Sequence, residues 1–197
     1  MISKPAITKK DAAVCQLDTA IKMFFENSDP ISIHTLAGAA SIVFEDLCKK
    51  KRLPIFFDFV PDTFHQNTVE ELHISFRKSR NFFKHAKDDS KEELTTFDDE
   101  DNELLLYACA YDCATAFRGL PISAQVFQGW YHCCFPEKFN ADITEPFKTI
   151  FPAIRTQKLE TQKKMGLNAL KTYDGHASLL SDQRTIPVPR YNRVRTA

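Results

Sequence analysis

Five glycines and one tryptophan among 197 residues, set against seventeen phenylalanines, leave little material for the tight turns of an all-β fold and much for a helical core. Charge imbalance is missing too: Lys and Arg together number 26, and so do Asp and Glu. A net charge of zero gives global electrostatics no preference for nucleic acid or an anionic bilayer, so any such attraction has to be local. No apolar run approaches the roughly 20 residues of a membrane span. The start, MISKPAITKKDAA, contains no apolar h-region or cleavage site, and Cys15, Cys48, Cys109, Cys113, Cys133 and Cys134 follow no disulfide spacing. These absences predict a cytoplasmic chain with reduced thiols and no membrane partner. There is also no Gly-rich phosphate loop and no Ser or Cys in a recognisable nucleophile motif, so no cofactor, nucleotide or other, is expected.

What is present is helical periodicity. From Thr8 to Asn27 the apolar residues Ala13, Leu17, Ala20, Ile21, Phe24 and Phe25 recur at the i, i+3, i+4 spacing of an amphipathic helix. Ser28-Asp29-Pro30 announces a second helix, with a capping residue ahead of a proline that suits the first turn. Its stripe is Ile33, Leu36, Ala37, Ala40, Phe44 and Leu47, and the run Lys49-Lys50-Lys51-Arg52 complements the negative end of its dipole. These two helices should form an antiparallel hairpin. A third is expected from about Asn67 to Lys87, with Thr68 and Glu71 at capping-box spacing and a stripe of Val69, Leu72, Phe76 and Phe83. A fourth spans Asp101 to Phe117, ended by Gly119, and a fifth spans Ser123 to Cys134, capped by Ser123 and stopped before Pro136.

The expected fold is therefore all-α: a bundle of about five helices over residues 1–136, then a loosely structured C-terminal extension, 137–197, with a short helix near Arg155 to Lys171 and a basic tail. Two segments stand out between the helices. PIFFDFVPDTFH, after Leu53, is too apolar for a solvated linker; it either folds over the core or lends Phe56, Phe57 and Phe59 to a dimer interface. Asp88 to Glu103 holds nine acidic residues and only Lys91 to offset them, which reads as a solvated loop leading into a helix start.

The chemically capable side chains concentrate in SFRKSRNFFKHA, Ser75 to Ala86. Arg80 can grip a phosphate with two parallel hydrogen bonds, Asn81 can orient an oxygen, and His85, with an ordinary pKa of about 6.5, can give or take a proton at neutral pH. Arg77 and Lys84 flank them as substrate-binding cations. Asn81 and His85 share a helix face, whereas Arg80 and His85 point about 140° apart. One helix does not close such a site; two copies meeting across a dimer axis would. Arg80 also falls in line with the apolar stripe, at Phe76+4 and Phe83−3. The alternative is therefore a structural Arg80 paired with a carboxylate such as Glu45 or Asp46, and a His85 that merely suits a helix end.

Arg80-Asn81 followed four residues later by His85 resembles the Arg-x(4-6)-His motif of the HEPN superfamily, in which Asn often follows the Arg. The resemblance covers six residues and a helical context, with Phe82-Phe83-Lys84 in place of the aliphatic residues usual before the His. It implies a small, usually dimeric helical bundle acting as a metal-independent RNase, or as a binding or scaffold module that has lost catalysis. In the first case Arg80 would stabilise charge at the scissile phosphate, Asn81 would orient substrate or the His, His85 would be general acid or base, and the RNA 2′-hydroxyl would be the nucleophile. RNA and a second copy of the chain are the partners this implies.

Metal chemistry has less support. Glu70 and His73 form a lone Glu-x-x-His where a di-iron bundle needs two. Cys109, Cys113 and His132-Cys133-Cys134 lack a Cys-x-x-Cys and read as small buried hydrophobes, so no metal site is expected.

Overall fold

The structure is a computed structural model that describes residues 6–59, 74, 78–84, 93–94, 97 and 99–190. Its fold is all-α, and the one strand-like contact among these residues is an isolated bridge between Leu120 and Thr185. Helix α1, Lys9–Phe25, begins in a capping box: the Thr8 hydroxyl accepts from the Asp11 amide at 3.1 Å while the Asp11 carboxylate accepts from the Thr8 amide at 3.2 Å. It ends with Asn27 in the left-handed region at φ 55°, and the Ser28 amide reaches back to the Met23 carbonyl at 2.9 Å. Helix α2, Pro30–Lys50, follows at once, with the Asp29 carboxylate accepting from the Ser32 amide. The two pack as a hairpin, α1 burying all six stripe residues and α2 burying Ile33, Ala37, Ala40 and Phe44.

By length and composition α2 could cross a membrane, its most apolar window averaging a hydropathy of 1.3, whereas the sequence contains no apolar run of span length. The window passes because the average tolerates interspersed polar residues. In the fold its apolar face is occupied by α1 and by α3, Glu100–Phe117.

Helix α3 terminates differently from expectation. Arg118, not a glycine, adopts the left-handed conformation (φ 56°), and its amide bonds the Ala114 carbonyl at 2.7 Å. Gly119 answers a steric demand: a Cβ there would lie 2.6 Å from the carbonyl oxygen of Arg184, which accepts from the Leu120 amide at 2.8 Å. Residues 184–186 are thus bound to the turn that follows α3 rather than being a bare tail. Helix α4 starts one residue earlier than expected, Ile122–Cys134, after Pro121. Ser123 does not cap it, because its hydroxyl donates to Asp18 of α1 at 2.7 Å.

The C-terminal segment consists of short turns, the four-residue helix α5 (Ala141–Thr144), the longer α6 (Leu159–Tyr173), α7 (Ala177–Leu180) and an extended end. Helix α6 docks on α1 and α4. A Cβ on Gly166 would lie 2.1 Å from the Phe25 ring, and the Trp130 indole donates to the Gln162 carbonyl at 2.8 Å. Phe24, Phe25, Phe127 and Trp130 meet there with ring centroids 5.4 to 5.8 Å apart, many of them edge to face.

The described part of the Phe-rich segment, up to Phe59, folds over its own chain. Phe56 and Phe57 are buried, and Phe56 meets Tyr107 and Tyr111 edge-on. Among its described phenylalanines Phe59, 45 % exposed, faces outward, whereas Phe56 and Phe57 belong to the core and not to an interface.

Candidate functional site

Residues 78–82 are helical and 83–84 turn, with the Phe83 amide bonded to the Ser79 carbonyl and that of Lys84 to the Asn81 carbonyl. The segment has an inner and an outer side. Ser79 is buried, and the Phe83 ring stands edge-on to the rings of His34 (5.7 Å) and Phe97 (5.1 Å). Lys78, Asn81 and Lys84 are exposed, and Arg80 is half-buried between the two sides.

The seat of Arg80 is Gly38 of α2: a Cβ placed there would come 3.1 Å from Cδ and 3.3 Å from Cγ of the arginine. The absence of a side chain at 38 lets the aliphatic stem lie against the α2 backbone. His34 and Gly38, one turn apart on α2, therefore form the platform under the segment, one holding Phe83 and the other Arg80. Alignment of Arg80 with the apolar stripe thus reflects a packed stem.

Of the residues singled out from the sequence, Arg80, Asn81 and Lys84 lie together on this strip, while Arg77 and His85 lie outside the described residues, as do Glu70 and His73. Lys84 is pushed below the ordinary lysine range, first by partial desolvation and then by the neighbouring Arg80 charge. Two cations thus sit close enough on the strip to disfavour one another.

Beneath the platform lies a buried polar cluster in which His34, beside Thr35 in a small-residue helix, is a packed and hydrogen-bonded histidine, as the sequence suggests. His34 Nδ1 is 3.1 Å from Asn102 Oδ1, and the Asn102 amide donates to the Pro30 carbonyl at 3.1 Å and to Asp99 Oδ1 at 3.3 Å. The other Asp99 oxygen accepts from Lys163 of α6, whose ammonium also donates to Asn27 Oδ1 at 3.1 Å and lies 4.4 Å from the centre of the Phe24 ring. The Lys163 side chain is 2 % exposed. Glu103 adjoins the cluster, its carboxyl pushed up to about 7 by burial and by Glu100, with Lys163 opposing. The acidic segment is thus not wholly solvated: Asp99 is ion-paired and Glu103 is buried. A signal existed in the sequence, since Lys163 lies on the α6 stripe at Leu159+4, Gly166−3 and Leu170−7.

Two further buried polar groups stand away from the strip. Tyr107 Oη lies 2.9 Å from His132 Nε2, and burial holds His132 down at about 4. Asp112 accepts the Phe56 amide at 2.7 Å, and burial raises its carboxyl to about 7. All six cysteines are free thiols, and no group of three or more His, Cys, Asp or Glu side chains suited to a metal ion occurs among the described residues. Comparison with protein-family models, curated proteins and solved structures finds no match for this chain.

Proposed function

We propose that this protein binds RNA in the manner of a HEPN-like domain, taking the phosphate backbone on the strip formed by Lys78, Arg80, Asn81 and Lys84. The observation that carries the proposal is the mutual proximity of Arg80 and Lys84. Arg80 and Lys84 put two neighbouring cations on one strip, and phosphate is the anion whose geometry a guanidinium matches best. The Arg80 stem is ordered on Gly38, so binding through its head costs less side-chain entropy than a freely rotating arginine would. Cleavage is the further step of the same reading. His85 supplies the general acid or base, Arg80 the charge stabilisation and the RNA 2′-hydroxyl the nucleophile, in a cleft completed by a second protomer.

Purified protein should cut single-stranded RNA in the presence of EDTA, with His85→Ala abolishing cleavage while leaving helicity and binding in place. Cleavage that survives His85→Ala belongs to a contaminant and removes the catalytic step. A second reading is favoured by the packing of Arg80 on Gly38: a non-catalytic interaction module in which that residue is framework. It predicts that Arg80→Ala lowers the thermal midpoint and leaves RNA affinity unchanged.

A further inference from the structure

We infer that the buried chain Lys163, Asp99, Asn102, His34 positions the strip 78–84, so that the placement of α6 governs how the strip is held. Each link is direct. Lys163 of α6 grips Asp99 at the start of α3, Asp99 and Asn102 share a hydrogen bond, Asn102 meets His34, and the His34 ring supports Phe83 inside the strip.

The network also sets the protonation of His34. The Asn102 amide nitrogen faces two acceptors, the Pro30 carbonyl and Asp99 Oδ1, so its oxygen is the atom turned towards the imidazole. Nδ1 of His34 must then carry a hydrogen and donate it. That bond fixes the ring plane, and the plane fixes where an edge-on Phe83 can rest, 5.7 Å away at 82°. Gly38, one turn further along α2, seats Arg80, so a rotation of this platform moves the anchored aromatic and the guanidinium together.

The coupling reaches across the chain. Asn27 and Asp99 receive the same ammonium, which ties the α1–α2 turn and the α3 start to α6 at one atom. Asn102 is fully buried and Lys163 nearly so, while Asp99 between them is partly exposed, so Asn102 and Lys163 are the members with no solvent to replace a lost partner. None of the four residues of the relay is assigned a ligand contact. Its members are positioning residues for the strip, and the consequence for RNA rests on the function proposed above.

The test separates the two claims. Hydrogen exchange is followed in the full-length protein for amides of 78–84 and, as an internal control, for α4. Asn102→Leu removes the acceptor for His34 and the donor to Asp99, and Lys163→Met breaks the far end with little change in volume. Exchange in 78–84 should rise at least tenfold more than in α4 for both variants. The nitrogen-15 spectrum of the wild type should show the hydrogen on Nδ1 of His34. Equal rises in both segments, no rise in Lys163→Met, or a wild-type His34 with its hydrogen on Nε2 alone would overturn the relay. Because none of these readouts uses RNA, they decide the relay even if the wild-type protein binds none. Where it does bind, the two decoupling variants should lose at least threefold in affinity.

Discussion

The backbone amide of Phe56 donates to Oδ1 of Asp112 at 2.7 Å, and Oδ2 of the same carboxyl is buried with no hydrogen-bond partner among the described residues. One oxygen pins the Phe-rich segment to α3; the other is desolvated without compensation, which is why burial dominates and raises the group to about 7.

A pH dependence follows from that pair. The folded-state value exceeds the ordinary 3.8, so the folded protein holds this proton more tightly than the unfolded chain does. The stabilisation is complete below about pH 4, falls as pH rises towards 7, and is lost above. Asp112→Asn keeps an oxygen for the Phe56 amide and removes the charge. Relative to wild type it should gain stability progressively between pH 4 and 7 and stay level above, by about 1–4 kcal/mol at pH 8. Urea unfolding of both proteins at several pH values reads this directly. A difference that does not change with pH would show that Asp112 ionises at its ordinary value.

His132, on α4 and facing Tyr107 of α3, makes the opposite prediction. Burial lowers it from 6.5 to about 4, so it stays neutral in the folded protein when an unfolded histidine has already taken its proton. Its contribution to stability is present above pH 6.5 and is lost as pH falls towards 4. Nitrogen-15 titration should show this imidazole neutral at pH 5.5. Tyr107→Phe, which deletes the 2.9 Å contact to Nε2, should cost about 1 kcal/mol or somewhat more. A midpoint near 6.5 in the folded state would contradict its burial.

The union of α6 with the bundle is testable at Gly166. A methyl at that position would fall 2.1 Å from the Phe25 ring, in a cluster where Trp130 and Phe127 leave that ring little room to move. Gly166→Ala should destabilise the protein by about 1–3 kcal/mol although alanine is the better helix former. Gly175→Ala is the control. It has open space around its Cβ position but a φ of +82°, so its smaller cost would come from backbone strain alone. A stabilised Gly166→Ala protein would mean that α6 does not rest on Phe25.

Much of the fold was legible because period and punctuation agree. The α1 stripe from Ala13 to Phe25 is buried in full, and Thr8, Asp29 and Pro30 mark the helix starts as their chemistry requires. The α3 end was less legible: Arg118 takes the left-handed conformation that Gly119 was expected to supply, whereas Asn27 closes α1 where the sequence places its end. The α3 end is decided by tertiary contact, Gly119 being reserved for the approach of residue 184. The site was legible in its outward half. Lys78, Asn81 and Lys84 are exposed as an amphipathic helix demands, whereas the supports of Arg80 are remote in sequence. Gly38 lies among small residues that read only as room for a neighbouring helix, and Asn102 and Asp99 lie in an acidic run that reads as solvated. Asp112 carried the clearest missed signal, a carboxylate within Tyr-Ala-Cys-Ala-Tyr-Asp-Cys-Ala-Thr-Ala-Phe, where every neighbour is suited to a core.

The measurement that bears most directly on RNA binding by the strip is the salt dependence of affinity for a short single-stranded RNA, compared between wild type and the Arg80→Ala/Lys84→Ala double variant. Each phosphate contact on a single strand contributes about 0.7 to the slope of log affinity against log salt. The account predicts that the wild type binds, and that the double variant binds more weakly at low salt with a slope shallower by about 1.4. Equal slopes, or no binding by a folded wild-type protein, would contradict it.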